Sequence, residues 1–214
     1  MPGLLPVALV TVLAVCVAYF AVLGLLQHRR AVSLARRASD MQMRFAAADP
    51  FDAPRRYGHF AALGSGHSPQ ACNVAFGRLH GWPVRAFDFR FEAGHGPRRL
   101  VRHFAVTVLQ TDCRLPEVLL WREDDPAGMP GSVGPANASH HGWACVGDVR
   151  SGERLAEIAP EEAVAVEIDG TSVLVALPVR RRSGGYVPLL TWAETLAGEL
   201  RRRGTLAGGS TLAD

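Results

Sequence analysis

The chain has 214 residues with 23 basic and 20 acidic side chains, a formal charge of +3, and hydrophobic residues making up 48%. Apart from one apolar N-terminal segment, that leaves room for one compact domain. All 23 basic residues are arginine, scattered rather than striped, and no zinc-finger spacing occurs, so nucleic acid is not an expected partner.

Leu4–Leu26 carries no charge over 23 residues. As a helix it would extend roughly 34 Å, enough to cross a hydrocarbon core of about 30 Å. A cleaved signal peptide would need a basic leading region, a shorter apolar run and a small-residue cleavage site, and none is present here. The segment is therefore read as a retained anchor over residues 1–28. Arg29, Arg30, Arg36 and Arg37 lie only on its C-terminal side. The positive-inside rule then predicts a single-pass protein of the cell membrane with a cytoplasmic C-terminal domain. The same four arginines are candidate contacts for anionic lipid headgroups, worth around 1 kcal/mol each close to the surface, although interfacial anchoring alone would also explain them.

Residues 29–70 read as a juxtamembrane helix and a linker. Arg29–Ala48 is rich in helix formers without Gly or Pro, and Asp49-Pro50 ends it. Phe51–Gln70 is punctuated by Pro54, Gly58, Gly64, Gly66 and Pro69, as expected of a flexible entry to the domain. Within it, Gly64-Ser65-Gly66-His67-Ser68 lacks the Gly-Lys-Ser/Thr ending of a phosphate loop.

Residues 71–204 then form the domain. Asn73–Leu79 is a predicted strand, His80-Gly81 a tight turn and Val84–Glu92 a second strand. Phe87, Phe89 and Phe91 alternate with Asp88, Arg90 and Glu92, the pattern of a half-buried antiparallel strand. Ala93–Pro97 is a turn, Leu100–Gln110 a third strand and Glu117–Trp121 a short fourth. Asp124–His141 is loop-like in composition, and Gly142–Gly147 is a weak strand. Ala163–Ile168 and Thr171–Leu177 flank Asp169-Gly170, which calls for a hairpin with a type I′ turn. Pro188–Arg203 is an amphipathic helix with Leu189, Trp192, Leu196 and Leu200 on one stripe and Gly204 as its stop. Arg180–Arg182 read as a solvated loop and residues 205–214 as a disordered tail.

The fold class is therefore α+β: a transmembrane helix, then a mainly antiparallel β domain capped by a C-terminal helix. By strand count it resembles a pleckstrin-homology-like roll. The stretches Asn73-Val-Ala-Phe-Gly77 and Gly81-Trp-Pro-Val-Arg-Ala-Phe-Asp-Phe-Arg-Phe91 resemble a family of uncharacterised bacterial single-span membrane proteins. The Val166–Gly170 hairpin and the closing helix fit the same resemblance. It implies one N-terminal span and a β-rich soluble part, and no activity.

Chemistry is weakly signalled. Eight histidines show no ligand rhythm, and the adjacent His140 and His141 would point apart on an extended chain. Asp124-Asp125 and Glu161-Glu162 read as solvated surface. Cys16 lies in the span; Cys72, Cys113 and Cys145 are far apart in sequence and read as reduced core residues. No metal or cofactor is expected. The leading expectation is a membrane-anchored, non-enzymatic interaction module on the cytoplasmic face, binding a protein partner or anionic lipid. The alternative is a membrane-attached hydrolase pairing His103 with Cys113 or Cys145.

Overall fold

The computed structural model describes residues 4–64, 66–94, 96, 99–124, 135–179 and 186–208. A helix α1 (Leu4–Asp40) leads into a strand β1 (Arg44–Ala48) and two short helices, α2 (Ala53–Tyr57) and α3 (Ala61–Gly64). Three long strands follow: β2 (His67–Leu79), β3 (Trp82–Ala93) and β4 (Leu100–Gln110). Then come β5 (Val118–Arg122), β6 (Ala138–His140), β7 (Trp143–Gly147), α4 (Val149–Ile158), β8 (Ala165–Asp169), β9 (Ser172–Pro178) and α5 (Tyr186–Gly208). The strands form one antiparallel sheet of order β1-β2-β3-β4-β9-β8-β5-β7-β6.

The expected fold class holds, with the sheet thicker in cover than the alternation suggested. One face packs Phe87, Phe89, Phe91, Phe104 and Val106 against Tyr57, Phe60 and Leu63 from α2 and α3. Burying each such aromatic side chain stabilises the fold by roughly 1.5–3 kcal/mol. The opposite face, which carries Ala75, Val84, Ala86 and Leu109, is covered by Leu34 and Ala38 of α1 and by Leu189, Leu190 and Trp192 of α5. The strand pattern thus finds the phenylalanine face, the closing helix α5 caps the sheet as expected, and the unexpected cover is the end of α1 on that same opposite face.

Several boundaries differ from expectation. The juxtamembrane helix ends at Asp40 rather than Ala48, and Arg44–Ala48 is an edge strand paired with Cys72–Phe76. The supposed flexible entry is ordered into α2, α3 and the first residues of β2. Here Asp49 accepts from the backbone N–H groups of Phe51 and Ala53 at 2.9 and 2.6 Å. It does the work of a cap that composition alone does not reveal. Helix α4 lies between the expected strands Gly142–Gly147 and Ala163–Ile168, and Asp148 caps it by accepting from Ser151 N–H at 2.8 Å.

The two hairpins separate instructively. Leu79 pairs with Trp82, and both His80 and Gly81 have positive φ, so the expected turn is of the type I′ pattern. Asp169 pairs with Ser172, so the second turn is Gly170-Thr171, one residue later than expected. Only Gly170 has positive φ there, the pattern of type II′. Gly204 does not stop α5, which continues to Gly208. Ser65, His95, Pro97, Asp125, Arg180–Arg182 and the last six residues lie outside the described residues, as does the side chain of Leu200.

Candidate functional site

Strand β2 is irregular where it passes α1. Register shifts occur between His67 and Gln70 and between Cys72 and Ala75, with Ser68 and Asn73 at φ of 54° and 52°. Asparagine tolerates this left-handed conformation better than most residues. The bulge turns its carboxamide onto β3, where Asn73 Nδ2 donates to Asp88 Oδ2 at 2.8 Å. The other carboxylate oxygen accepts from Arg30 of α1 at 2.5 Å. Tyr186, the first residue of α5, is buried with its hydroxyl beside Asp88 but with no hydrogen bond of proper geometry. Burial first, and then that carboxylate, push its pKa well above the usual tyrosine range.

Arg30, Asn73 and Asp88 edge a cavity of about 290 Å³ between α1 and strands β2–β4, which Gln27, Cys72, Arg90 and His103 also help to line. Burial, followed by the Asp88 charge, pushes the Cys72 thiol up. Burial, followed by Arg90 and Arg30, pushes the His103 imidazole down. Both groups are therefore held toward their neutral forms. A thiolate–imidazolium nucleophile needs the reverse.

The pairs weighed from sequence do not meet. From His103, β4 runs seven residues to Gln110, about 23 Å at about 3.3 Å each, before Cys113 is reached. Cys145 lies on β7, four strands away in the sheet order, or about 19 Å at about 4.8 Å per strand. It is buried, and its sulfur fills the room that a Cβ on Gly152 would need. Burial, followed by Asp148, pushes its thiol up as well. The cysteine that does share a cavity with His103 is Cys72.

Of the four candidate headgroup arginines, Arg29 and Arg36 are exposed, whereas Arg30 and Arg37 turn toward the domain. Arg30 is committed to Asp88, and Arg37 keeps a buried Nε without a partner. Among the described residues, no group of three or more His, Cys, Asp or Glu side chains is placed to hold a metal ion. Asn73, Asp88 and Tyr186 were missed as site residues. Asp88 alternates with phenylalanines and so reads as solvent-facing, and only the helix laid over it makes it a partner. A second, more apolar cavity of about 490 Å³ lies at the other end of the domain, between α4, α5 and the β8–β9 turn.

Helix α1 is long and apolar enough to cross a membrane over Val7–Asp40, with none of its most apolar window buried in the domain. Among the described residues, fold and site thus define an α+β protein with one candidate membrane helix, a nine-stranded antiparallel sheet and a polar cavity at the foot of that helix. No family model and no curated protein matches the chain, in keeping with its resemblance to proteins of no assigned activity. Among solved structures, the mycobacterial trehalose monomycolate transport factor A, TtfA, matches with a TM-score of 0.59. The match is 15% identical and covers 80% of this chain and 94% of that one, a likeness of fold alone.

Proposed function

We propose that the chain is a membrane-anchored, non-enzymatic accessory protein. Helix α1 crosses the membrane once and holds the sheet domain against the cytoplasmic surface. The carrying observation is continuity: α1 is helical from Leu4 to Asp40, and its last turns are core, with Leu34 and Ala38 fully buried and Arg30 paired to Asp88. A helix shared between anchor and core fixes the distance and orientation of the domain, which suits a part that positions partners at a membrane. The name of the structural neighbour, a transport factor, supports an accessory role of this kind. The arginine bias of the C-terminal flank supports the cytoplasmic side. Arg29 and Arg36 are the residues open to anionic headgroups, with Arg30 and Arg37 serving mainly to seat the helix; the further occupant is a protein partner.

The test uses the full chain in native membranes. The protein should resist alkaline carbonate extraction, and its domain should be cleaved by protease only after the membrane is opened from the cytoplasmic side. Extraction by carbonate would remove the span. Cleavage in intact cells would reverse the orientation. In-cell crosslinking from Arg29→Cys and Arg36→Cys should capture lipid or a defined partner protein, and capture of neither would leave the interaction role without support.

A further inference from the structure

We infer that the cavity at the foot of α1 is an anion site that takes the phosphate of an anionic lipid headgroup or of a soluble phosphate ester, with Arg90 as its principal cation. Strand register builds the site. Gln70 of β2 pairs with Arg90 of β3, and Arg90 pairs with His103 of β4, so the three lie side by side on the face of the sheet that Asp88 presents to α1. Gln27 and Arg30 close the cavity from the helix side. Gln70, Arg90 and His103 are exposed, which leaves the row open to a ligand.

The charges of the lining do not cancel. Arg30 and Arg90 are its cations and Asp88 its carboxylate, whose two oxygens already accept from Arg30 and Asn73. Arg90 has no ion pair among the described residues. Glu92, two residues further along β3, is ion-paired to Arg99 instead. The N–H groups that Arg90 commits, on Nε and Nη2, both donate to one neutral acceptor, Gln70 Oε1, the Nε bond at 2.9 Å. A guanidinium has five such donors, so the others and the full positive charge remain uncompensated. Gln70 also holds the fork in place, which lowers the cost of ordering it around a ligand. The imidazole of His103 registers the surplus. After burial, Arg90 and then Arg30 push it toward its neutral form, against the opposite pull of Asp88.

Position and size select the anion. Gln27 is the first polar residue after the uncharged run Leu4–Leu26, so the cavity opens where a span over that run meets the headgroups. This placement rests on the reading of α1 as membrane-crossing, whereas the charge surplus does not. At about 290 Å³ the cavity is at the small end of ligand sites, roughly 300–1,000 Å³, which suits a phosphate and its ester arm rather than an acyl chain. Phosphate oxygens accept from guanidinium, amide and imidazole N–H groups, and the planar guanidinium fork meets two oxygens at once. Arg29 and Arg36, on the exposed side of α1, attract an anionic surface diffusely. The cavity holds a single headgroup.

Cys72 lines the cavity and Cys113 lies beyond the end of β4, so the chain carries its own reporter and reference. The full chain in phosphatidylcholine nanodiscs is treated with iodoacetamide, and the rate at Cys72 is divided by that at Cys113. Phosphatidylglycerol in the disc, or glycerol 3-phosphate in solution, should slow Cys72 about tenfold, since a ligand at about ten times its Kd leaves about a tenth of the sites empty. Slowing by phosphatidylglycerol alone assigns the site to lipid, and slowing by glycerol 3-phosphate assigns it to the soluble ester; either supports the anion site. Arg90→Gln and Gln70→Glu, the second giving Arg90 a carboxylate partner, should each abolish the slowing relative to their own ligand-free rates. Both positions are exposed, and circular dichroism that superposes on the wild type establishes that each variant is folded. Equal slowing in those variants, or by oleate at the same surface charge, would reveal surface potential alone and overturn the inference. So would no slowing by either ligand. If α1 does not cross the membrane, carbonate extracts the chain while glycerol 3-phosphate still protects Cys72, so failure of the span and failure of the site are read apart.

Discussion

Arg30 of α1 donates to Asp88 of β3 across 2.5 Å, joining two residues 58 apart in the chain. The guanidinium and carboxylate side chains are 29% and 15% exposed, so the pair is screened less than a surface ion pair. It fixes α1 to the middle of strand β3 and supplies one of the two partners that Asp88 has, the other being Asn73.

Removing the carboxylate strands both partners. Asp88→Ala should destabilise the detergent-solubilised chain by about 1–3 kcal/mol, because Arg30 and the left-handed Asn73 then lose their acceptor. Arg30→Ala should be milder, since Asn73 still satisfies part of Asp88. Urea unfolding of both single variants and the double variant measures the coupling. Strict additivity would show that the contact carries no energy.

Gly77 has no room for a side chain, since an added Cβ would lie 2.9 Å from Met43 Cγ and 3.2 Å from its Cα. Gly77→Val should cost about 1–3 kcal/mol by overpacking the seam between β2 and the end of α1. Met43→Ala should recover only part of that, because the backbone contact remains. Thermal unfolding midpoints decide it; an unchanged midpoint would mean the seam is loose.

Glu167 is 8% exposed, and its carboxylate accepts from the backbone N–H groups of Ala61 and Ala62 at 2.9 and 3.2 Å. Burial raises its pKa from an ordinary 4.5, against the lowering effect of those two bonds. The native state therefore holds this proton more tightly than the unfolded chain does. Its contribution to stability is fully present below the ordinary value and is lost as pH rises through the raised one. Relative to Glu167→Gln, which cannot ionise, the wild type should lose stability across that window. Denaturation midpoints at stepped pH check this, and parallel profiles would refute it.

Cys72 is exposed at the strand surface, yet partial desolvation by its neighbours and then Asp88 disfavour its thiolate, so it should alkylate more slowly than a thiol in an unfolded peptide. Asp88→Asn removes the negative charge while Arg90 and Arg30 continue to favour the thiolate, so the rate should rise. Peptide mass spectrometry after timed iodoacetamide treatment gives both rates. A wild-type rate matching the peptide would contradict the described environment.

How much was legible beforehand depended on the reach of each interaction. The phenylalanine face of β3 is a period-two pattern within one strand, and the His80-Gly81 turn lies between two residues that pair directly. Both are local, so spacing revealed them. The edge strand Arg44–Ala48 was read as helix because its alanines and arginine favour helix by propensity. Its pairing with Cys72–Phe76, some 28 residues away, overrides that preference. The β8–β9 turn moved by one residue for a similar reason. Its register follows from which side chains β4 and β5 bury, not from the Asp-Gly signal alone. Strand count also suggested a pleckstrin-homology-like roll, a finer topology that the nine-strand order does not by itself establish.

The amino-acid sequence alone determined the apolar helix near the start, its arginine-only flank, the antiparallel character of the domain and the helix that closes it. Each of these depends on composition or short periodicity, which act within a single element. Only the tertiary structure decided that α1 continues into the core, that Asp88 is a buried partner rather than a solvated side chain, and that His103 shares a cavity with Cys72 and with neither other soluble cysteine. These depend on which distant segments cover a given face, and coverage is a property of packing that no single stretch of chain carries.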